Sequence, residues 1–293
     1  MEKLINLINN KLKIDNVKKF AVIIGINPSK TARSPLLWNA AFEANNINFS
    51  MLPIDVEKKN LNKVLEILIS SKEFIGGSVT IPYKRDVLEF LGKNLTNEAK
   101  KIGAINCIFR NEKNSIIGTN TDGEASLESF KKNFGNIKNK NILLLGLGGA
   151  GKAVLNYFLK DMVTGKMYVS SFNENKYESY KNSDDVIFVK WDEKNKIIDK
   201  LDIVINCTSM GFADQIEETP LNIVELGKLK KTCIIFDIIY NPKKTKLLKL
   251  SEKIGLKTLN GLEMNILQAV IAFKYTVNLS NDEITERAMR GVS

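Results

Sequence analysis

Short apolar runs alternate with stretches of helical periodicity along almost the whole chain. Phe20–Ile26, Asn48–Ile54, Phe74–Ile81, Ala104–Phe109 and Ser115–Thr119 have the length and side-chain content of strands. Pro35–Asn45 and Leu61–Ser71, lying between them, predict helices. A second alternation opens with the run Asn141–Leu145 and a helical pattern over Ala150–Leu159, and continues through strand-like runs at Lys166–Ser170, Val186–Lys190, Ile203–Cys207 and Cys233–Ile239. Strands alternating with helices predict an α/β fold, and the two separate alternations predict two domains with a central cleft. The boundaries fall at residues 1–122 and 123–261, with a helical connection near Thr121–Gly123. Leu262–Val277 predicts an amphipathic helix packing back across both domains, so that 262–293 completes the first, and Met1–Lys19 predicts a surface helix.

Composition narrows the function. At 293 residues and 44% hydrophobic content the chain can bury two ordinary cores. No apolar run approaches the ~18 residues of a membrane span, and MEKLINLINNKLK interrupts its apolar positions with Asn and Lys, which predicts a cytoplasmic protein without membrane contact. The 3 cysteines, Cys107, Cys207 and Cys233, lie in apolar runs without metal-ligand spacing and predict reduced, buried thiols and no metal site. The net charge is +10, but only five of the 43 basic residues are arginine (Arg33, Arg85, Arg110, Arg287, Arg290) and the lysines are scattered. That pattern predicts attraction of a small anion and no nucleic-acid partner. The absence of histidine excludes Ser-His triads, His-ligated zinc and a histidine general base, so acid–base work falls to Lys, Asp, Glu, Tyr or Cys.

The stretch LLLGLGGAGKAV (Leu143–Val154) fits two phosphate-binding patterns. Gly146, Gly148 and Gly151 form G-x-G-x-x-G, a dinucleotide turn, while Gly146 with Gly151-Lys152 is nearly a triphosphate loop. The second needs Ser or Thr after the lysine to hold Mg²⁺, and Ala153 cannot ligate a metal. A strand before the turn and a helix after it favour the dinucleotide reading, although any βα turn can be glycine-rich.

Seven fragments carry a closer resemblance. They are NPSKTARSP (Asn27–Pro35), SVTIPYK (Ser78–Lys84), GAINC (Gly103–Cys107), TNTDG (Thr119–Gly123), INCTSMG (Ile205–Gly211), DIIYNP (Asp237–Pro242) and GLEMNILQA (Gly261–Ala269). In this order they resemble the shikimate dehydrogenase family over nearly the whole chain. The resemblance implies an N-terminal α/β substrate domain and a Rossmann-like NADP-binding domain. It also implies reversible NADPH-dependent reduction of 3-dehydroshikimate to shikimate, in aromatic amino-acid biosynthesis, by a monomer or homodimer.

By the same resemblance Lys84 is the acid–base group and Asp122 lies beside it, hydrogen-bonding the substrate hydroxyl. Ser34, Thr80, Asn106, Tyr240 and Gln268 match substrate contacts. Gly146, Gly148, Gly149, Ala150, Gly151, Asn173, Thr208, Ser209, Met210, Ile238 and Gly261 match positions lining the cofactor, which is NADP with NAD as an alternative.

Each residue also has a plainer reading. Lys84 follows a strand ended by Pro82 and could be a solvated lysine; Asp122 could cap the helix beginning near Gly123; Ser34 before Pro35 is an ordinary N-cap with proline in the first helical position. Asn106 sits in an apolar run, where burial demands a substrate or backbone partner. The chain also departs from the family pattern. Ala32 stands where a serine is usual, Ser78 where an asparagine is usual, and Ser171-Phe172-Asn173 where Asn-Arg-Thr would hold the 2′-phosphate. Ala32 and Ser78 point to one alternative, a paralogue acting on quinate or a related hydroaromatic acid; a second, a non-catalytic dinucleotide sensor, is opposed by the intact Lys84, Asn106, Asp122 and Gln268.

Overall fold

The computed structural model describes residues 2–12, 18–180, 185–278 and 280–293. The chain folds as two compact units, Met1–Thr121 with Ile266–Ser293, and Asp122–Asn265.

The first unit contains, in chain order, α1 (Glu2–Ile5), β1 (Lys19–Gly25), α2 (Pro28–Thr31), α3 (Ser34–Ala44), β2 (Phe49–Asp55), α4 (Leu61–Ser70), β3 (Phe74–Val79), α5 (Lys84–Leu91), α6 (Asn97–Ile102), β4 (Cys107–Arg110) and β5 (Ile116–Thr119). Its strands form one sheet in the order β2-β1-β3-β4-β5, with β1 parallel to β2 and β3, and with β4 antiparallel to β3 and β5. Gly76 and Gly77 occur together in β3 because each has positive φ (129° and 143°) and a Cβ at either would fall on a neighbouring strand, 2.2 Å from Ile108 O and 1.9 Å from Val22 O.

Asp122, the first residue of the second unit, opens α7 (Asp122–Phe134). There follow β6 (Ile142–Leu145), α8 (Gly149–Asp161), β7 (Met167–Ser170), β8 (Val186–Phe188), β9 (Ile203–Asn206), α9 (Ile223–Gly227), β10 (Ile234–Asp237), α10 (Lys246–Lys253), β11 (Lys257–Leu259) and the start of α11 (Leu262–Thr276). The rest of α11 and α12 (Asp282–Gly291) belong to the first unit. Among the described residues its six strands are all parallel, in the order β11-β10-β9-β6-β7-β8. The chain steps outward from β6 through β7 to β8 and then returns to the other side of β6 with β9. The β6/β9 junction is therefore the topological switch point, outside whose carboxyl ends ligands bind in sheets of this kind.

The N-terminal segment differs from the surface helix that its sequence predicts. Among its described residues only Glu2–Ile5 is helical, Leu4 is buried in the core of the first unit, and Leu7, Ile8 and Leu12 pack against that core. Of the predicted Met1–Lys19 helix, Met1 and residues 13–17 lie outside the described residues.

The segment also closes an edge. β2 is the outermost strand, and its odd-numbered residues turn their backbone polar groups away from β1. The Met51 amide donates to Asn39 Oδ1 at 2.7 Å, and Asn39 Nδ2 donates to the Met51 carbonyl at 3.3 Å. Pro53 has no N–H, and its carbonyl accepts from Asn10 Nδ2 at 2.9 Å. The Asp55 amide donates to Asn10 Oδ1 and its carbonyl accepts from Asn9 N, both at 2.8 Å. Side-chain amides and the Asn9 backbone N–H thus take the place of a further strand, one of the ways in which proteins manage open edges. Replacing Asn39 by alanine removes two bonds and should destabilise the first unit by about 1–2 kcal/mol in urea unfolding. It should also produce concentration-dependent association in size-exclusion chromatography; an unchanged midpoint would show that water satisfies Met51 equally well.

Candidate active site

In the first unit the site begins where the strands end. Thr80 leaves β3 with its amide bonded to Ile24 O at 2.9 Å, and its own carbonyl accepts from Tyr83 N at 3.0 Å. The Tyr83 hydroxyl, buried with its ring, donates to Val56 O at 2.7 Å and anchors this turn against the end of β2. Lys84, half-buried, is the next residue and the first of α5. Its carbonyl accepts from Ile105 N at 3.1 Å, while the Asn106 carbonyl accepts from Val79 N at 2.8 Å. Backbone bonds therefore bring Thr80, Lys84 and Asn106 to one corner of the sheet.

Asn106 is 4% exposed and has the polar partners its burial demands. Its Oδ1 accepts from Thr121 N at 2.9 Å, and its Nδ2 donates to Thr121 Oγ1 at 3.0 Å and to Gln268 Oε1 at 3.4 Å. Thr121 Oγ1 donates in turn to Gln268 O at 3.1 Å, which carries α11 into the same corner. Asp122, 7% exposed, directly follows Thr121 and opens α7. The adjacent Gly123 has a packing reason: a Cβ there would lie 2.5 Å from Ala153 O and 2.4 Å from the Tyr157 ring, so glycine lets α7 approach α8.

Ser34 corrects one expectation. It is not the N-cap of α3; Arg33 occupies that position with helical dihedrals (φ −86°, ψ −19°), and Leu37 N bonds Arg33 O at 3.1 Å. The helix therefore starts one residue early, leaving buried Ser34 in its first turn without a capping bond. Tyr240, half-buried, belongs to the second unit and follows β10.

In the second unit the glycine turn joins β6 to α8, and its three glycines do different work. Gly146 has φ 90°, and a Cβ there would lie 2.9 Å from Thr208 N; a Cβ on Gly151 would lie 2.0 Å from Gly146 O. Both are required for packing at the switch point. At Gly148 a Cβ meets no described atom within 4 Å, so this glycine faces open space. Gly148 is the N-cap of α8, which among the described residues has no side-chain cap and no acidic residue in its first turn. The first-turn amides of Gly149, Ala150 and Gly151 lack acceptors within the helix by its geometry, an arrangement that can cradle a pyrophosphate. The turn fits a dinucleotide.

Further polar groups follow the neighbouring strand ends. Asn206 Oδ1 accepts from Thr208 N at 3.0 Å and Thr208 Oγ1 at 2.7 Å, and Met210 N donates to Thr208 Oγ1 at 3.2 Å. Ser209 Oγ donates to Gln215 Oε1. Gly261 is glycine because a Cβ would fall 1.9 Å from Ile238 O. Asn173, exposed after β7, accepts from Asn175 N at 3.1 Å.

Residues 23–108 match the family model described as the shikimate dehydrogenase substrate binding domain. A curated shikimate dehydrogenase (NADP(+)) from Methanocaldococcus jannaschii is 33% identical over 277 residues, covering 91% of this chain and 95% of the relative. The chain belongs to the shikimate dehydrogenase family. Among solved structures, a shikimate dehydrogenase in complex with NADP+ aligns with a TM-score of 0.81 at 30% identity, over 94% of this chain and 95% of that one. The shikimate dehydrogenase of Aquifex aeolicus aligns with a TM-score of 0.81 at 30% identity, over 95% of this chain and 100% of that one. The fold is the two-domain α/β fold of the shikimate dehydrogenase family, with a Rossmann-like second unit.

One buried polar link in this shikimate dehydrogenase family member has no counterpart among the residues that the sequence singles out. Asp237, fully buried at the end of β10, accepts from Thr245 Oγ1 at 2.7 Å and from Ile239 N and Asn206 Nδ2, each at 3.1 Å. It links β10 to the Asn206–Thr208 turn beside the glycines. The signal was present in the runs IVIN and IIFD, each a buried strand closed by a polar residue.

Burial pushes the Asp237 carboxyl up to about 6, against the lowering effect of its three hydrogen bonds. A pKa raised on folding contributes stability that is complete below the ordinary value of 3.8 and is lost as pH rises through about 6. Between pH 4 and pH 7 the wild type should therefore lose about 2 kcal/mol more stability than Asp237→Asn. Urea unfolding of both proteins across that range measures the difference, and parallel stability curves would refute it.

Proposed function

We propose that this chain interconverts 3-dehydroshikimate and shikimate with NADP(H), with Lys84 and Asp122 doing the proton work. The observation that carries the reading is the convergence of Thr80, Lys84, Asn106 and Gln268 at one corner of the first unit, within a chain that belongs to the family along most of its length. The dinucleotide, when bound, supplies or accepts the hydride. Reducing a ketone develops negative charge on its oxygen, and the Lys84 ammonium provides the proton that neutralises it. Asp122 orients the substrate hydroxyl, while Ser34, Thr80, Asn106, Tyr240 and Gln268 hold the ring and its carboxylate. Amides at the N-terminus of α8 take the pyrophosphate. Among the described residues no helix is long and apolar enough to cross a membrane. On the family resemblance we place the enzyme in the cytoplasm, as a monomer or homodimer.

A second reading has its own support. Ala32 removes a hydroxyl expected to face the substrate carboxylate, and Ser78 lies in β3 opposite Cys107 where the family pattern has asparagine. A pocket altered at these points could take quinate, whose ring carries an extra hydroxyl on the carboxylate-bearing carbon. Steady-state assays of the purified protein with shikimate and quinate, each with NADP+ and NAD+, separate the readings. Turnover of shikimate with NADP+ is expected. A higher kcat/KM for quinate would replace the first reading with the second, and tight dinucleotide binding without turnover of either acid would indicate a sensor.

A further inference from the structure

The turn after β7 carries an exposed aromatic ring on a rigid mount. Phe172 is 64% exposed, yet its ring stacks on Trp191 with centroids 3.9 Å apart and planes inclined by 28°. Trp191 packs against the core of the second unit formed by residues such as Leu145, Leu201 and Ile198. The ammonium of Lys194, a buried residue, lies 3.6 Å from the Trp191 centroid and donates to the Trp191 carbonyl. A ring and an ammonium cannot both occupy one face at those distances, so Trp191 is held between them. One face of Phe172 is left towards solvent. The backbone below is also fixed, because the Tyr177 hydroxyl accepts from Ser171 N at 2.8 Å and donates to Ser171 O at 3.1 Å.

Position supplies the ligand. β7 is the neighbour of β6, with Ser170 opposite Leu145, and Gly146 N donates to Ser170 O at 2.8 Å. Phe172 therefore projects from the strand end next to the glycine turn. A dinucleotide whose pyrophosphate lies at the N-terminus of α8 runs its adenosine half across this strand end. A planar aromatic face on a fixed support matches the flat face of a purine, and stacking of this kind is indifferent to substituents on the ribose.

We infer that Phe172, mounted on Trp191, is the platform on which the adenine ring of the dinucleotide stacks, so that this member grips its cofactor by the base where the 2′-phosphate meets no arginine from Ser171-Phe172-Asn173. The inference rests on the dinucleotide reading of the glycine turn. Because the stack does not involve the 2′ position, it contributes equally to NADP+ and NAD+.

Calorimetric titration of Phe172→Ala and Phe172→Tyr with NADP+ and NAD+ tests this. Phe172→Ala should weaken both dinucleotides by the same factor, about 10- to 100-fold, with the melting temperature of the free protein little changed. Phe172→Tyr should restore binding, and nicotinamide mononucleotide, which has no adenine, should bind wild type and Phe172→Ala equally. An unaffected Phe172→Ala variant overturns the inference, as does a loss confined to NADP+, which would make the turn a reader of the 2′-phosphate. Should the wild type bind neither dinucleotide, the cofactor reading fails first and the inference falls with it.

Discussion

Lys84→Ala should lower kcat by about 10²–10⁴-fold while leaving the dissociation constant for NADP+ close to that of the wild type. The range is the usual contribution of a positioned acid–base group. The expectation is specific because of where the residue is fixed: Lys84 begins α5, its carbonyl is held by Ile105 N, and the Tyr83 ring beside it is buried and bonded to Val56 O. Truncating the side chain leaves those anchors in place, so the loss should appear in turnover and not in folding. Steady-state kinetics with thermal melting of the same preparation checks both halves. A variant with most of its turnover intact would remove Lys84 from the chemistry and return it to a solvated surface role.

Gly151→Val should weaken NADP+ by about 100-fold, equivalent to ~3 kcal/mol and within the strain range for overfilled packing. Its Cβ would fall 2.0 Å from Gly146 O and 3.4 Å from Cys207 Cβ, so α8 or the glycine turn must move. Since movement could also lower stability, Gly148→Ala is the informative partner. Gly148 has φ −79° and ψ −168°, a conformation alanine adopts readily, and its Cβ meets no described atom within 4 Å. Gly148→Ala should therefore melt like the wild type and still bind NADP+ less tightly, because the methyl group occupies space needed by the pyrophosphate. Calorimetry on both variants, with thermal melts, separates packing from contact. Undiminished NADP+ affinity in a fully folded Gly148→Ala protein would contradict the cradle.

The two alternations of strand and helix were legible because burial in parallel sheets writes continuous apolar runs such as ILLL and IVIN. Strand ends were read less well. The run Phe74–Ile81 stops as a strand at Val79, and Ala104–Phe109 becomes Cys107–Arg110, since residues that finish a ladder and residues that enter the site are equally apolar. α5 and α6 were missed. KRDVLEFL and NEAKKI are too short for a strong period, although Thr96 at the N-cap of α6 and Gly103 after it, with φ 72°, are ordinary start and stop signals. The roles of polar motif residues came through resemblance, since spacing alone does not distinguish a catalytic lysine from a solvated one. Contacts between distant segments, such as Asp237 with Asn206 or Asn10 with Asp55, leave no periodic trace.

The order of the two units along the chain sets the order in which they can be completed during synthesis. The chain leaves the first unit after Thr121 and re-enters it at Ile266. Phe273, which lies 5.1 Å from the Trp38 ring centroid and 4.9 Å from that of Phe42, therefore reaches the ribosome exit only after the whole second unit has emerged. Thr285 and Asn281, which bond Asn45, emerge later still. Domains generally fold as they are made, first ones first; here the unit that begins earlier must wait, on the order of ten seconds at ~5–20 residues per second. During that interval Trp38 and Phe42 lack their permanent covering. This nascent face is a place where a chaperone could shield the growing chain.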